Sequence, residues 1–284
     1  MIFVLLIGLG LCLGSFTNAL VWRLHEQAEV GKSKKKKSKA EKADDLSIVH
    51  GRSMCPHCHH ELAAKDLVPV LSWVELRGKC RYCQAPISWQ YPLVELLMAV
   101  LFVGLYWLWP SHVWTAAHIV DFVTWLALMV GFVALTIYDI KWMELPDKIV
   151  FTLLGIVIAN TFMQSVVFGG GWTAILGALW GFLVLGGLFY ALFQISGGKW
   201  IGGGDVKLGF VLGIAVGGPI ASMLVLFIAS ILGLIGSIPL LIFSKGNLKS
   251  RIPFGPFLIV ATVIVKLFGA SLIHWYKSKL LIGS

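Results

Sequence analysis

Two aspartates stand beside features that could turn a carboxylate into a catalyst. Asp139 follows the apolar run GFVALTIY without a break, and Asp205 follows three consecutive glycines, Gly202, Gly203 and Gly204. Two carboxylates that share one proton can activate a water molecule and protonate a leaving amide, and this chemistry needs no cofactor. The two residues are 66 positions apart in the chain. We therefore expect hydrolytic chemistry only if the fold brings them together.

The residue pattern leaves a simpler interpretation open. Asp139 could lie in a hydrated loop, and Asp205 could be the N-cap of a helix, a position that Asp favours. Against this, an ionisable residue at membrane depth is costly and is a functional hypothesis by default. Glycines beside Asp205 also permit unusual dihedral angles and let another chain approach the backbone closely. Such a loop could present an extended peptide to the carboxylate.

Four cysteines form two C-x-x-C pairs, CPHC and CRYC, with 21 residues between the pairs. Two such pairs at this separation are typical of a zinc site with four thiolate ligands. The predicted ligands are Cys55, Cys58, Cys80 and Cys83. Four protein ligands leave no open position for a substrate, so we expect a structural zinc ion that helps to fold this region.

Other interpretations of the cysteines are weaker but open. CPHC alone could be a thiol–disulfide active site, although the segment is too short to supply the usual βαβ context. His57, His59 and His60 surround the first pair and could replace a thiolate ligand.

The composition is that of an integral membrane protein. Of the 284 residues, 58% are hydrophobic and 13% are charged, whereas soluble domains carry about 25% charged residues. Apolar runs near the length of a membrane span predict an all-α fold of about eight transmembrane helices. The predicted segments are 2–22, 92–109, 113–138, 149–168, 172–195, 206–217, 219–243 and 254–275. The sixth is short enough to be a half-span.

Charge divides the chain into three parts. The stretch from Arg23 to Arg81 holds 13 of the 23 Lys and Arg residues. We therefore expect a first transmembrane helix at 1–24, a zinc-binding insertion with a Lys-rich tether at 25–90, and a multi-helix membrane domain at 91–284. The lysine run at 32–42 is expected to lie against anionic lipid, so the predicted partner of this positive charge is the lipid bilayer and not nucleic acid.

Alternate loops carry the positive charge. The loops after the first, third, fifth and seventh predicted helices contain Lys or Arg, and the loops after the second, fourth and sixth contain none. The positive-inside rule then places the insertion, Asp139 and Asp205 on the cytoplasmic side.

Motifs along nearly the whole chain resemble those of the type IV prepilin peptidases, which are membrane aspartyl proteases of the GxGD type. GSFTNALVWRL at 14–24 is similar to the opening signature of that family. YDIKWMELPD and GGGDVKL resemble its two aspartate motifs. The remaining matches are GRSMCPHC, DLVPVLSWVELRGKCRYC, ISWQYPLVELL and RIPFGPFL.

The resemblance implies that Asp139 and Asp205 are the catalytic pair. It also implies cleavage of a basic leader peptide from type IV pilin, pseudopilin or competence pilin precursors, at the cytoplasmic face of the bacterial inner membrane. Many members also methylate the new N-terminal residue with S-adenosylmethionine. His59 is a departure, because the family usually has glycine after the second cysteine, and a left-handed backbone there would be strained.

Two further residues are candidates for contact with substrate. Glu95 starts the second predicted helix and could be an interfacial charge favoured by the helix dipole, or it could bind the substrate amine during methyl transfer. Lys207 could lower the pKa of Asp205, or it could face lipid headgroups. A position at the N-terminal end of a helix would also lower the pKa of Asp205.

Three alternative functions remain compatible with the residues. The protein could be a peptidase without methyltransferase activity, or an ion-coupled transporter that uses Asp139 and Asp205 as ion sites. It could also be a zinc-organised assembly factor without chemistry of its own. A transporter would be favoured by inverted repeats, and the sequence shows no convincing internal symmetry.

Overall fold

The computed structural model describes residues 1–32, 53–111, 115–243 and 252–282. Most of the predicted Lys-rich tether lies outside these residues. The chain divides into two compact units, Met1–Trp107 and Leu108–Ser284. Regular structure in the described residues is helical, apart from two isolated β-bridges in the insertion, which confirms the predicted all-α class.

The first unit contains two long helices with the insertion between them. Helix α1 spans Ile2–Lys32 and α3 spans Gln90–Trp107. Between them lie a 3₁₀ turn at Ala64–Leu67 and the short helix α2 at Leu71–Glu75. Polar side chains join the long helices, since Asn18 donates to the Tyr91 carbonyl at 3.1 Å and Gln90 donates to Asn18 at 3.2 Å.

Helix α1 continues eight residues beyond the predicted segment 1–24. The added stretch reads HEQAEVGK. It is more polar than the residues before it, but Glu, Gln, Ala and Lys are good helix formers. Hydropathy therefore located the end of the apolar run and not the end of the helix.

The second unit is helical over its described residues. Helix α4 spans Ala116–Trp142 and α5 spans Asp147–Phe162. Helix α6 spans Gly171–Gly181, and it continues through a π-helical segment into α7 at Leu188–Ser196. The remaining helices are α8 at Gly203–Val216, α9 at Pro219–Phe243 and α10 at Gly255–Ile282.

Seven helical segments in the described residues are long and apolar enough to cross a membrane. The eighth apolar helix, α8, has 14 residues, which corresponds to about 21 Å. This is shorter than the ~30 Å hydrocarbon core, in agreement with the predicted half-span. The chain is thus a multi-pass membrane protein.

Helix α8 is the centre of the second unit. Leu208, Val211 and Leu212 on this helix are fully buried. Gly213 lies against Gly181 of α6, so close that a Cβ on either residue would overlap the backbone of the other. Small residues at such crossings let membrane helices approach closely. This packing positions the first turn of α8, which carries Asp205.

Candidate active site

Asp139 lies one turn before the end of α4. The C-cap of the helix is Met143, whose backbone is left-handed and whose N–H donates to the Asp139 carbonyl at 2.8 Å. The Asp139 side chain is buried, and its Oδ2 has no hydrogen-bond partner among the described residues. Buried polar atoms without a hydrogen-bond partner are rare in folded proteins, so this oxygen atom needs a physical explanation. A water molecule or a substrate group would supply the missing partner.

The first residue of α10 closes over the same carboxylate. The backbone N–H of Gly255 faces Asp139. A Cβ built on Gly255 would lie 2.6 Å from Asp139 Oδ2, which is closer than carbon and oxygen atoms pack. Gly255 belongs to the RIPFGPFL motif, but sequence reasoning did not assign it a role. The sequence feature that could have identified Gly255 is its position directly before Pro256, at the start of an apolar helix.

Asp205 is the third residue of α8, and Gly202 is the N-cap. The interpretation of Asp205 as the N-cap is therefore wrong. The Gly202 N–H faces the Asp205 carboxylate. Burial, and then the nearby charge of Asp139, raise the pKa of Asp205 to about 6. The expected lowering by the helix dipole is thus outweighed, because loss of hydration acts more strongly on a buried carboxylate.

The glycines before Asp205 do not adopt the unusual dihedral angles that were expected. Gly202 is extended, and Gly203 and Gly204 begin α8. None of the three has a positive φ, whereas Gly197 and Gly198 do. Gly204 instead permits a close approach, because a Cβ there would lie 3.1 Å from the side chain of Leu145. These glycines bring α8 near the loop that follows Asp139.

Lys207 forms an ion pair that neither interpretation of this residue anticipated. Its Nζ donates to Asp147 Oδ1 at 2.6 Å. Asp147 begins α5, and both side chains are exposed. Lys207 is not among the causes of the Asp205 pKa shift. The pair joins the motifs YDIKWMELPD and GGGDVKL at their outer edge.

Glu95 belongs to the first unit. Its side chain is buried within α3. Its Oε2 accepts a hydrogen bond from the Val70 backbone N–H at 2.7 Å, and the Ser15 hydroxyl of α1 also faces it. Neither predicted role included this contact, which ties the insertion to a membrane-length helix.

The four cysteines meet as predicted. The Sγ atoms of Cys55, Cys58, Cys80 and Cys83 all lie within 4.8 Å of one another, and the Cys55 and Cys83 sulfurs are 3.8 Å apart. Tetrahedral Zn–S bonds of ~2.3 Å require sulfur atoms about 3.8 Å apart. The cluster therefore fits a metal ion of this kind, and His57, His59 and His60 are not part of it.

The two cysteine pairs have the same local fold, shifted by 25 residues. In the first, His59 N–H donates to Cys55 O at 2.9 Å, and in the second, Gln84 N–H donates to Cys80 O at 3.0 Å. Both donor residues have a positive φ, 54° for His59 and 60° for Gln84. The strain expected at His59 is thus present, and the second pair carries it as well. A bound metal would compensate for such strained positions.

The sequence did not predict an ion pair that lies between membrane-length helices. Lys266 of α10 donates to Asp121 of α4 at 2.7 Å, and Asn160 of α5 donates to the other oxygen of Asp121 at 3.0 Å. The Lys266 ammonium also lies 5.1 Å from the ring centroids of Trp109 and Trp125. The sequence feature that could have predicted this pair is the presence of charged residues inside apolar segments. This cluster joins three helices about 27 Å along α4 from Asp139.

Comparison with known proteins shows two family models on this chain. The model described as the bacterial peptidase A24 N-terminal domain matches residues 8–109, and the type IV leader peptidase family matches residues 126–238. The first match includes the cysteine cluster, and the second includes both aspartates. No solved structure matches the chain.

Curated relatives extend over nearly the full chain. A prepilin leader peptidase/N-methyltransferase of Aeromonas hydrophila is 36% identical, with 95% of this chain and 92% of the relative covered. A protein of the same name from Pseudomonas aeruginosa is 33% identical, with 94% and 91% covered. A type 4 prepilin-like proteins leader peptide-processing enzyme of Escherichia coli is 34% identical, with 87% of each chain covered.

Proposed function

The chain belongs to the type IV leader peptidase family, and on this premise we propose that it is a membrane aspartyl peptidase that removes the leader peptide from type IV pilin-like precursors. The observation that carries the proposal is the pairing of a buried carboxylate, Asp139, with a half-buried one, Asp205, from distant parts of the chain. Asp139 acts electrostatically on Asp205, and backbone N–H groups at two helix N-termini face the pair.

The proposed reaction is hydrolysis of a peptide bond by water. Because the charge of Asp139 raises the pKa of Asp205, Asp205 holds the shared proton and donates it to the carbonyl oxygen, while the ionised Asp139 takes a proton from the attacking water. The carbon–nitrogen bond then breaks, and the leaving amine takes the proton held by Asp139. The hydroxyl group formed from the carbonyl oxygen returns its proton to Asp205. Sharing of one proton between two close carboxylates is what makes both roles available at the same pH.

Methyl transfer to the new N-terminus is the second proposed activity. The names of the curated relatives include N-methyltransferase, and S-adenosylmethionine is the proposed methyl donor. In the same proposal, the four thiolates hold zinc as a structural ion that folds the insertion. Transfer of a radiolabelled methyl group to cleaved substrate would test this activity separately from cleavage.

The proposed location is the bacterial inner membrane, with Asp139, Asp205 and the insertion at the cytoplasmic face. Positive charge in alternate loops supports this orientation. The proposed substrates enter from that side with a basic leader, and Gly202, Gly203, Gly204 and Lys207 border the entry to the carboxylate pair.

Asparagine substitutions test the peptidase assignment. Asp139→Asn and Asp205→Asn should each abolish cleavage of a pilin-like precursor in proteoliposomes, while the thermal unfolding of the protein in detergent still shows a folded chain. Asp147→Asn is the matched comparison, because it removes a carboxylate from the same loop but only breaks the exposed pair with Lys207. Cleavage that survives either of the first two substitutions, or that is lost equally in all three variants, would contradict the proposal.

A further inference from the structure

The insertion carries a patch of exposed apolar side chains. Leu71 is 68% exposed, Val74 is 59% exposed and Trp89 is 65% exposed. Leu67 and Val68 extend the same surface. A soluble zinc-binding segment gains nothing from such a surface, and contiguous exposed apolar side chains mark a contact with a partner or a membrane.

Glu95 fixes how deep this patch lies. Helix α3 has 18 residues, or about 27 Å, so nearly its whole length is needed to cross a ~30 Å hydrocarbon core. Gln90 must then lie near the boundary of the hydrocarbon. Glu95 is five residues further along, and its Cα is about 7.5 Å deeper. Its side chain leans back toward the start of the helix and accepts the Val70 N–H at 2.7 Å. Val70, and Leu71 beside it, are therefore held at the boundary of the hydrocarbon.

The backbone of this segment is suited to an apolar surrounding. Glu95 accepts the N–H of Val70, and Pro69 has none. The next donors mostly bond within the segment: Leu71 to Pro69, Ser72 to Val68, Val74 to Val70, Leu76 to Ser72, Arg77 to Val74 and Gly78 to Trp73. A backbone placed at membrane depth must satisfy its donors internally, because no water is available there. Val70 has a φ of 60°, a strained conformation for a β-branched residue, and this conformation lets its N–H reach Glu95.

Aromatic and cationic residues border the patch as they do at a membrane surface. The rings of Trp73 and Trp89 pack at 4.1 Å between centroids, and Trp89 directly precedes α3. Tryptophan is enriched at the boundary between hydrocarbon and water. Lys65, Arg77 and Lys79 are exposed on either side of the apolar residues, where anionic headgroups would attract them.

We propose that residues 67–74 form a membrane-inserted turn, whose apolar side chains contact the acyl chains of the bilayer leaflet at which α3 begins. The turn is held by Glu95 and by the contact between Trp73 and Trp89, and the exposed Glu75 that follows it pairs with Arg81 on the headgroup side. Cys80 follows six residues after Val74, so the turn holds the cysteine cluster against the membrane surface. The insertion is then an interfacial element and not a soluble domain on a tether.

Photocrosslinking from defined positions tests the membrane-inserted turn. The photoreactive residue p-benzoylphenylalanine is placed at Leu71 or at Val74 in the full chain, which is reconstituted in vesicles of phosphatidylethanolamine and phosphatidylglycerol. Mass spectrometry of the irradiated protein then measures lipid adducts. Glu61 is the matched control, because it is also exposed and lies three residues after the first cysteine pair. Bound zinc is measured in every variant to show that the insertion is folded.

We expect lipid adducts at Leu71 and Val74 in several-fold excess over Glu61. Equal or lower yields at the two test positions would overturn the proposal. Crosslinks from Leu71 and Val74 to a second copy of the chain, or to another segment of the same chain, in place of lipid would also overturn it. Either result would assign the patch to a protein interface.

The anchor has its own test in the same vesicles. Glu95→Leu removes the acceptor that holds the Val70 N–H, whereas Glu95→Gln keeps an oxygen that can accept it. The lipid adduct from Leu71 should fall several-fold in the leucine variant and stay near the wild-type yield in the glutamine variant. Equal yields in both variants would contradict the role of Glu95 in holding the turn at depth.

Discussion

A single methyl group added at Gly255 should disable the proposed peptidase without unfolding it. In Gly255→Ala, the new Cβ would lie 2.6 Å from Asp139 Oδ2. Carbon and oxygen atoms in close contact are normally about 3.3 Å apart or more. The carboxylate, or the start of α10, must therefore move by about 0.7 Å.

The size of the effect follows from that displacement. A misplacement of about 1 Å in a catalytic group can lower the rate ~10²-fold. We therefore expect cleavage by Gly255→Ala to fall by about 10²-fold, mainly in kcat, because the substituted atom faces Asp139 and not the entry to the site. The substitution also places a good helix former in the first turn of α10, so the folded state should persist.

Single-turnover cleavage of a pilin-like precursor measures this effect, and thermal unfolding in detergent reports on the fold. Gly155→Ala is the matched control, because Gly155 lies in α5 with no atom within 4 Å of a built Cβ. The control should cleave at the wild-type rate. The contact between Gly255 and Asp139 would be refuted if both variants cleaved equally well. Loss of the folded state in Gly255→Ala alone would likewise contradict the expected local effect.

Three further changes have expected outcomes. Cys80→Ser should reduce bound zinc from close to one ion per chain, measured by metal analysis, while the membrane helices stay folded; unchanged zinc would contradict the four-thiolate site. Lys266→Met should destabilise the second unit by about 1–3 kcal/mol, because Asp121 keeps the hydrogen bond from Asn160 but loses its cationic partner, and Asp121→Asn in the same chain should recover part of the loss in thermal unfolding. Asp205→Asn should raise stability by about 2–3 kcal/mol above pH ~6, where the wild type bears the cost of ionising a half-buried carboxylate, and this gain should vanish below pH ~4, where both folded and unfolded wild-type chains are protonated. A gain that is largest at low pH would reverse the sign of the Asp205 pKa shift.

The helices and the cysteine cluster could be predicted from the sequence for local reasons. A run of about 20 apolar residues has few options other than a membrane-spanning helix, because its backbone must bond internally in lipid. Two C-x-x-C turns likewise bring their own thiolates together over a few residues. Even here the prediction followed hydropathy alone, and it ended α1 near residue 24 although the helix continues to Lys32.

Which carboxylates meet was decided by the tertiary structure. Asp139 and Asp205 are brought together by the packing of α8 against its neighbours, including the contact of Gly213 with Gly181. The sequence pointed to both aspartates through their motifs, but not to Gly255 or to the partner of Lys207. Burial also raised the pKa of Asp205 where the position in the helix predicted a lower value.

Apolar periodicity in a membrane helix says little about its rotation, because lipid and protein interior are equally apolar. The sequence by itself therefore determined the membrane class, the helical segments, the cysteine ligands and the family signatures. Only the tertiary structure decided which faces of the helices meet, and so paired Lys266 with Asp121, Lys207 with Asp147 and Glu95 with the Val70 backbone. Each of these contacts joins residues at least 25 positions apart, and its formation depends on helix packing that no local pattern encodes.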